Sequence, residues 1–404
     1  MKHISPSLLV LAVFTAVPSA YSLDVKDEDM KLGLVMRIQM RAERANASDN
    51  TGDTHNIANG VTGQPDTADF YLRRFRFGFK GTYQNDYKFA AIVRMDNADR
   101  TANSDSGRNA VIHQAYLARV FKPEGSDTEH IVSAGLNYSF FNGAQDTFSS
   151  SQQLFPAPRA TEGSTFLAPR GVGVAYKAVG KLLSNNYQFG VDILNNTGDD
   201  ATATTRKEGL CYVARFEYVP YDSVPGHMKT TESFVGAKGT GMLIALDAGI
   251  NKNDITSATA RQTRKAEGIE VLVHHDSLTA LFEYRVAQLE TDNTVAANTN
   301  AGSKAIILQA GWAMPWYDGV IEPSFRWSRI DLDKDTVETS AFGTADFGNS
   351  GFQTELGVNW YINKTHNNKL QFAYLDWRGE QSSLATVESP ARAHVLRAQW
   401  QVNF

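Results

Sequence analysis

Apolar and polar residues alternate with a period of two along almost the whole chain. In the segment 74–80, Phe75, Phe77 and Phe79 alternate with Arg, Gly and Lys residues, and the last ten residues show the same pattern. A period of two is typical of β-strands that have one apolar and one polar face. The chain is therefore expected to be built mainly from two-faced strands.

Sixteen alternating segments predict sixteen strands, with fourteen and eighteen as alternatives. They centre near residues 38, 77, 92, 116, 136, 174, 190, 214, 246, 271, 282, 308, 325, 357, 373 and 398. A spacing of about 24 residues per strand and connection is typical of a barrel wide enough for an aqueous channel. Long polar connections such as 45–68, 99–108 and 251–264 would be extracellular loops. Short connections such as 84–86 and 123–128 would be periplasmic turns.

Two architectures could produce this alternation. A soluble β-sandwich would place the apolar face inside. Strands of ten or more residues, many charges on the polar face and aromatic residues at strand ends favour a barrel in lipid. Such a barrel must close, because an open edge would leave backbone groups without hydrogen-bond partners in the bilayer. We predict an all-β, transmembrane antiparallel β-barrel as a single domain over residues 23–404.

Residues 1–22 are expected to be a signal peptide. Lys2 precedes an apolar core over residues 8–17, and Ala20 and Ser22 are the small residues of a cleavage site. A buried N-terminal helix of a soluble protein is the alternative. No later stretch has the length of apolar sequence that a transmembrane helix needs. Export, the alternating strands and the aromatic residue Phe404 together predict the outer membrane of a Gram-negative bacterium.

Composition and scattered functional residues exclude several classes of protein. The 404-residue chain has a formal net charge of −5 and one cysteine, Cys211, which excludes a disulfide framework or a multi-cysteine zinc site. This charge argues against a nucleic-acid partner. His274 and His275, adjacent in a strand, face opposite sides and cannot share a metal ion. With no Gly-x-Ser-x-Gly motif either, we expect no enzymatic activity, no cofactor and no metal.

Four stretches resemble the phosphate-selective porin O and P family. Residues 70–78 contain Arg-Arg-Phe-Arg, which is similar to the second strand of the family, and 88–98 end in Asp-Asn-Ala. Residues 114–117 and 166–174 are also similar, the latter to the segment that closes the family's third loop. The resemblance implies a sixteen-strand trimeric barrel in which the third extracellular loop folds into the lumen and narrows the pore.

The resemblance also implies which residues form the narrow part of the pore. The segment 141–168 has the length and the position of the constriction loop, and Arg159 is a candidate charge in it. The residues that match the family's anion site, its acid and its loop-closing arginine are Arg73, Arg74, Arg76, Asp96 and Arg170.

Alternation alone assigns further charged residues to the lumen. The basic ones are Arg37, Arg41, Arg74, Arg76, Lys80, Lys88, Arg94, Lys177, Arg215, Arg285, Arg326 and Arg397. The acidic ones are Glu43, Asp96, Asp192, Glu217, Asp247, Glu283, Glu322 and Glu355. The first three strands have seven basic residues and two acidic ones, in a chain that is acidic overall. Fixed positive charge attracts anions, and arginine binds oxyanions with two hydrogen bonds.

These assignments leave three alternatives open. Lumen arginines could simply pair with acids across strands and stabilise the wall. Arg73 has the parity of Phe75 and would face lipid, unless a bulge lies at 73–74 or the pair lies above the apolar band. The basic residues near the predicted extracellular loops, Lys252, Lys265 and Lys304, do not form the cluster that phosphate-specific members have.

The sequence therefore predicts a porin for small anions, with phosphate or polyphosphate among the candidates. A general small-solute porin and a structural or adhesive barrel are the other readings. The expected partners are small anions, outer-membrane lipid and two further copies of the chain in a homotrimer.

Overall fold

A closed antiparallel β-barrel of sixteen strands forms the described part of this computed structural model. The described residues are 24–26, 29–48, 66–98, 110–141, 154–156, 167, 170–195, 209–223, 230–232, 238–257, 260–293, 299–332, 351–379 and 392–403. The predicted signal peptide, 1–22, lies outside these ranges.

The strands follow one another around the barrel in chain order. They are β1 (Asp24–Lys26), β2 (Met30–Ser48), β3 (Asp66–Tyr83), β4 (Tyr87–Ala98), β5 (Val111–Phe121), β6 (Glu129–Tyr138), β7 (Arg170–Leu182), β8 (Asn185–Asn195), β9 (Leu210–Asp222), β10 (Thr240–Ser257), β11 (Ala260–His275), β12 (Leu278–Asn293), β13 (Thr299–Trp312), β14 (Met314–Trp316), β15 (Gly319–Leu332), β16 (Gly351–Tyr361), β17 (Asn368–Gly379) and β18 (Arg392–Asn403). The short strands β1 and β14 pair with β2 and β15. The other sixteen close the barrel where β18 pairs with β2, so the predicted strand number is confirmed.

The barrel wall has its apolar face outside and its polar face inside. Along β12, Phe282 is 37% exposed, whereas Glu283 and Arg285 are fully buried. Such a distribution fits a wall that is surrounded by hydrocarbon and that packs polar side chains against one another in the lumen. It confirms the predicted transmembrane barrel. Among the described residues, no helix is long and apolar enough to cross a bilayer.

Short connections lie at one end of the barrel, together with the start of β2 and the end of β18. The turn at 84–86 has Gln84 and Asn85 at φ values of 50° and 59°, the left-handed region that a tight reversal requires. Five further connections at this end, such as 183–184 and 276–277, have two to seven residues. The connection 223–239 between β9 and β10 is the longer exception at this periplasmic end.

One predicted loop is wrong. The segment 251–264 is strand for most of its length, because β10 continues to Ser257 and β11 begins at Ala260. The ladder between them shifts register twice, between Asn251 and Asp254 and between Ile255 and Ser257. Such irregularities interrupt the period of two, so that paired backbone looks like loop in the sequence.

Candidate pore-lining site

A β-bulge in β3 directs Arg73 into the lumen. Gln39 of β2 pairs with Arg74, while the next residue, Met40, pairs with Leu72, so Arg73 is the extra residue. Arg73 is buried, as is Arg76, on the polar side of the strand. The sequence allowed either a bulge at 73–74 or a position above the apolar band, and the structure has the bulge. A bulge turns a side chain to the other face of the strand and leaves one residue unpaired in the ladder.

Three arginines lie side by side on three adjacent strands. Arg37 of β2 is directly opposite Arg76 of β3, and Arg76 is directly opposite Arg94 of β4. The next row contains Arg74, whose guanidinium donates to the side chain of Gln39 at 3.3 Å. Like charges directly opposite each other destabilise a sheet. The three arginines nevertheless lie opposite one another here, which concentrates positive charge on one part of the wall.

Asp96, the predicted eyelet acid, pairs with Arg74 through the backbone, and its side chain lies outside the described part of the chain. Arg159 also lies outside it. Lys80 is exposed near the periplasmic end of β3, on the same face as Arg76. The structure thus brings together the arginines of β2, β3 and β4, and it places Lys80 at the rim.

A second bulge, in β5, introduces a histidine that the sequence analysis did not select. Ile92 of β4 pairs with Gln114 and Val93 pairs with Ile112, so His113 is the extra residue. His113 is 3% exposed, and its Nε2 lies 2.6 Å from the hydroxyl of Tyr138. A bulge has no signature in the alternation of this short strand, so only the register identifies His113.

The residues around His113 form a hydrogen-bonded chain. Arg170 contacts both Nδ1 of His113 and the main-chain oxygen of His113, the latter at 2.9 Å. At the other side, Arg76 donates to the Tyr138 hydroxyl at 3.4 Å. Because an arginine can only donate, Nδ1 of His113 must be the acceptor, and Nε2 then carries the proton and donates to Tyr138. The Tyr138 oxygen accepts twice, which leaves its own proton for a third group.

The tip of the 141–168 loop contacts the polar face of the wall. The main-chain oxygen of Leu154 accepts a hydrogen bond from Asn359 at 2.9 Å and a longer one from Gln371 at 3.5 Å. Arg41 donates to the main-chain oxygen of Pro156 and, at 2.8 Å, to the side chain of Gln399. The three described tip residues, 154–156, are therefore seated against β2, β16 and β17.

Arginines on the far wall are engaged by carboxylates. Arg215 contacts Asp247 at 2.6 Å and Glu270 at 2.5 Å, and Arg285 contacts the same two acids. Glu217 and Glu283 complete the network. Gly268 provides the space for it, since a Cβ there would lie 2.3 Å from the Arg285 guanidinium. Two arginines meet four carboxylates here, so this part of the wall adds no net positive field.

Glu270 and Lys369 are lumen residues that the sequence analysis missed. Glu270 is opposite Glu283 in the ladder, so a correct register for the weakly patterned strand β11 could have identified it. Lys369 is buried near the start of β17. Among the described residues, no group of three His, Cys, Asp or Glu side chains could hold a metal ion.

A family model described as phosphate-selective porin O and P matches residues 46–404. The outer membrane channel DcaP of Acinetobacter baumannii is similar in structure, with a TM-score of 0.53, 14% identity and coverage of 94% of this chain and 99% of that chain. The anion-selective porin from Comamonas acidovorans has a TM-score of 0.55 at 9% identity and covers 93% of this chain and 100% of its own.

OmpF of Salmonella typhi, in a complex with daunomycin, has a TM-score of 0.52 at 14% identity, with 94% of this chain and 100% of that chain covered. No curated protein sequence matches this chain. At these identities the solved structures support the fold, and the family model carries the assignment. Since that model spans most of the chain, the protein belongs to the phosphate-selective porin O and P family and forms a channel in the Gram-negative outer membrane.

Proposed function

We propose that this channel conducts small anions, with inorganic phosphate or polyphosphate among its solutes. The observation that carries the proposal is the row Arg37, Arg76 and Arg94 on adjacent strands. A wall with this much positive charge raises the local concentration of anions and lowers their barrier to entry. The same field repels cations.

The residues around this row suit an oxyanion better than a spherical anion such as chloride. Guanidinium groups bind oxyanions through parallel hydrogen bonds, and the Tyr138 hydroxyl adds a neutral donor next to Arg76. Arg170 and His113 orient that hydroxyl. The proposed anion path therefore passes Arg73, Arg74, Arg76, Arg94 and Tyr138.

The loop 141–168 is proposed as the constriction. Its tip is seated on Asn359 and Gln371, and Phe155 packs 4.7 Å from the Arg326 guanidinium, measured to the ring centre. Held in this way, the loop would bring passing solutes close to the arginines of the neighbouring strands β2, β3 and β4. Export through the signal peptide 1–22 and assembly as a homotrimer are part of the same proposal. The signal peptide rests on its own sequence pattern, and the homotrimer rests on the family resemblance.

A general anion or small-solute porin is the second candidate, and the lysines favour it. Lys252, Lys265 and Lys304 are exposed, and each has a buried neighbour on the lumen side of its strand. They therefore face outward rather than into the mouth, and Lys265 pairs with Glu290 at 2.6 Å on that outer side. A structural or adhesive barrel is the third candidate, and such a barrel would not conduct ions.

The test is planar-bilayer conductance of the purified protein in a KCl gradient, followed by titration with inorganic phosphate. A reversal potential on the anion side, with chloride current blocked by phosphate, is the result expected for an oxyanion channel. Anion selectivity without block would support the general porin. Cation selectivity or the absence of conductance would overturn the proposal.

A further inference from the structure

A second chain segment enters the barrel from the periplasmic end. The connection 223–239 between β9 and β10 has 17 residues, while the other described connections at that end have two to seven. Its described residues 230–232 are almost completely covered, with Thr231 at 2% and Glu232 at 0% exposure. A long turn in the periplasm would leave such residues in water, so this part of the connection is packed against other protein.

The strands next to the connection hold the first part of the segment. The ring nitrogen Nε2 of His274, at the end of β11, lies 3.0 Å from the main-chain oxygen of Thr230. At the start of β12, the hydroxyl of Thr279 donates to the main-chain oxygen of Thr231 at 3.3 Å. Both side chains are buried on the lumen face, so the segment runs over the inner surface of the wall.

Glu232 is bound much further around the barrel. Its carboxylate contacts Nζ of Lys369 in β17 and lies 2.5 Å from Nδ1 of His366 in the preceding turn. Six strand pairings separate β10 from β17. A fully buried carboxylate is costly without partners, so removing Lys369 or the charge of Glu232 should weaken the attachment of the segment to β17.

The segment also meets the tip of the 141–168 loop. The main-chain N–H of Leu154 donates to the Thr231 hydroxyl at 3.4 Å. Leu154 is itself seated on Asn359 through its carbonyl oxygen. Two segments that enter the barrel from opposite ends are therefore joined inside it, and both occupy space that a solute would otherwise use.

We propose that residues 230–232 and 154–156 together narrow the lumen, and we call these six residues the floor of the pore. Glu232 is the positioning residue that sets the size limit of the channel. This inference rests on the channel itself and not on its selectivity for anions. Size limit and charge selectivity are measured separately, so either proposal can fail alone.

The test begins with Glu232→Gln, which keeps the side-chain shape and removes the charge. We expect single-channel conductance to rise roughly 1.5-fold or more, and larger uncharged sugars to enter in liposome swelling assays, because a wider floor admits them. Lys369→Met should act in the same direction. The matched control is Glu290→Gln, which removes the acid of the exposed pair with Lys265 on the outer face and should leave both readings at the wild-type value.

A reversible cross-link separates widening of the floor from a general loss of folding. In a Cys211→Ala background, Leu154→Cys and Thr231→Cys should form a disulfide on oxidation, because the main-chain nitrogen of Leu154 lies 3.4 Å from the Thr231 hydroxyl. When Glu232→Gln is added to that pair, conductance should stay at the wild-type level as long as the disulfide is closed. Reduction of the disulfide should then raise the conductance. Electrophoretic mobility of the unheated barrel reports whether each variant is folded.

Three outcomes would overturn the inference. The first is a folded Glu232→Gln barrel together with a folded Lys369→Met barrel, both with wild-type conductance and sugar cut-off. The second is failure of the two cysteines to cross-link in a folded barrel. The third is an increase in conductance that persists unchanged when the disulfide is closed.

Discussion

The guanidinium groups of Arg76 and Arg170 are connected through a single tyrosine–histidine pair, although their strands, β3 and β7, are not neighbours. Arg76 donates to Tyr138, Tyr138 is 2.6 Å from His113, and His113 accepts from Arg170. The bulge at His113 makes the connection, because it turns the ring toward the buried side of β5. Two positive groups are held in place by a link that contains no acid.

The arginine row should determine charge selectivity. Replacing Arg74 and Arg76 together with Ala should lower the anion-to-cation permeability ratio by roughly threefold or more, because both charges face the anion path. Reversal potentials in a KCl gradient measure this. The effect should be larger at 0.1 M than at 1 M salt, since the Debye length falls from about 10 Å to about 3 Å.

The control for that pair is Arg119→Ala. Arg119 is exposed next to the buried Ala118, so it faces outward, and its guanidinium carbon lies 6.0 Å from the ring centre of Tyr87. This variant should keep the wild-type reversal potential. An unchanged potential in the double variant as well would mean that selectivity arises elsewhere in the channel.

The Tyr138 hydroxyl should contribute to anion affinity. Tyr138→Phe removes one donor to a charged acceptor, a contribution of about 1.5 kcal/mol, so phosphate block of the chloride current should weaken about tenfold. Tyr176→Phe is the matched control, because Tyr176 also bonds a histidine, His130, at 2.7 Å, beside Phe121 on the outer face. Equal block in both variants would argue against a role for Tyr138.

Gly268→Ala should destabilise the barrel. Its Cβ would lie 2.3 Å from the Arg285 guanidinium and 2.8 Å from Asp247, so the buried charge network would have to move. Overpacking of this kind costs about 1–3 kcal/mol, and urea titration of the folded, unheated form measures it.

Gly125→Ala is the control for that loss of stability. Gly125 has a φ of 72° with nothing within 4 Å of its Cβ position, so it reports the backbone cost of an alanine without a clash. If Gly268→Ala unfolded at the wild-type urea concentration while Gly125→Ala did not, the charge network would not depend on the space at Gly268.

The amides under the loop tip should hold the constriction in place. Asn359→Leu with Gln371→Met keeps the approximate side-chain volume and removes both donors to the Leu154 oxygen. We expect higher single-channel conductance and more current noise, because the tip loses hydrogen bonds worth about 1 kcal/mol each. Asn185→Leu, which removes an amide bonded to Tyr218 at 2.8 Å near the turns, should leave conductance and noise unchanged. Wild-type current in the double variant would mean that other contacts hold the tip.

Much of the barrel could be predicted from local alternation. All sixteen predicted centres fall in sixteen different barrel strands, because each strand has lipid on one side and polar lumen on the other. Alternation is uninformative where the chain leaves the apolar band. The end of β10 and the inward part of 223–239 have no periodic face, so alternation identifies neither of them.

The sequence by itself determined the membrane class, a strand number near sixteen and the excess of positive charge in the first three strands. These features are local, because each depends on which residue follows which along one strand. Only the tertiary structure decided that Arg73 faces the lumen, that Arg37, Arg76 and Arg94 lie abreast, and that Thr231 meets Leu154. A bulge or a register depends on pairing between strands, and the contact between two connecting segments depends on how the closed barrel brings them together, so no single stretch of sequence encodes them.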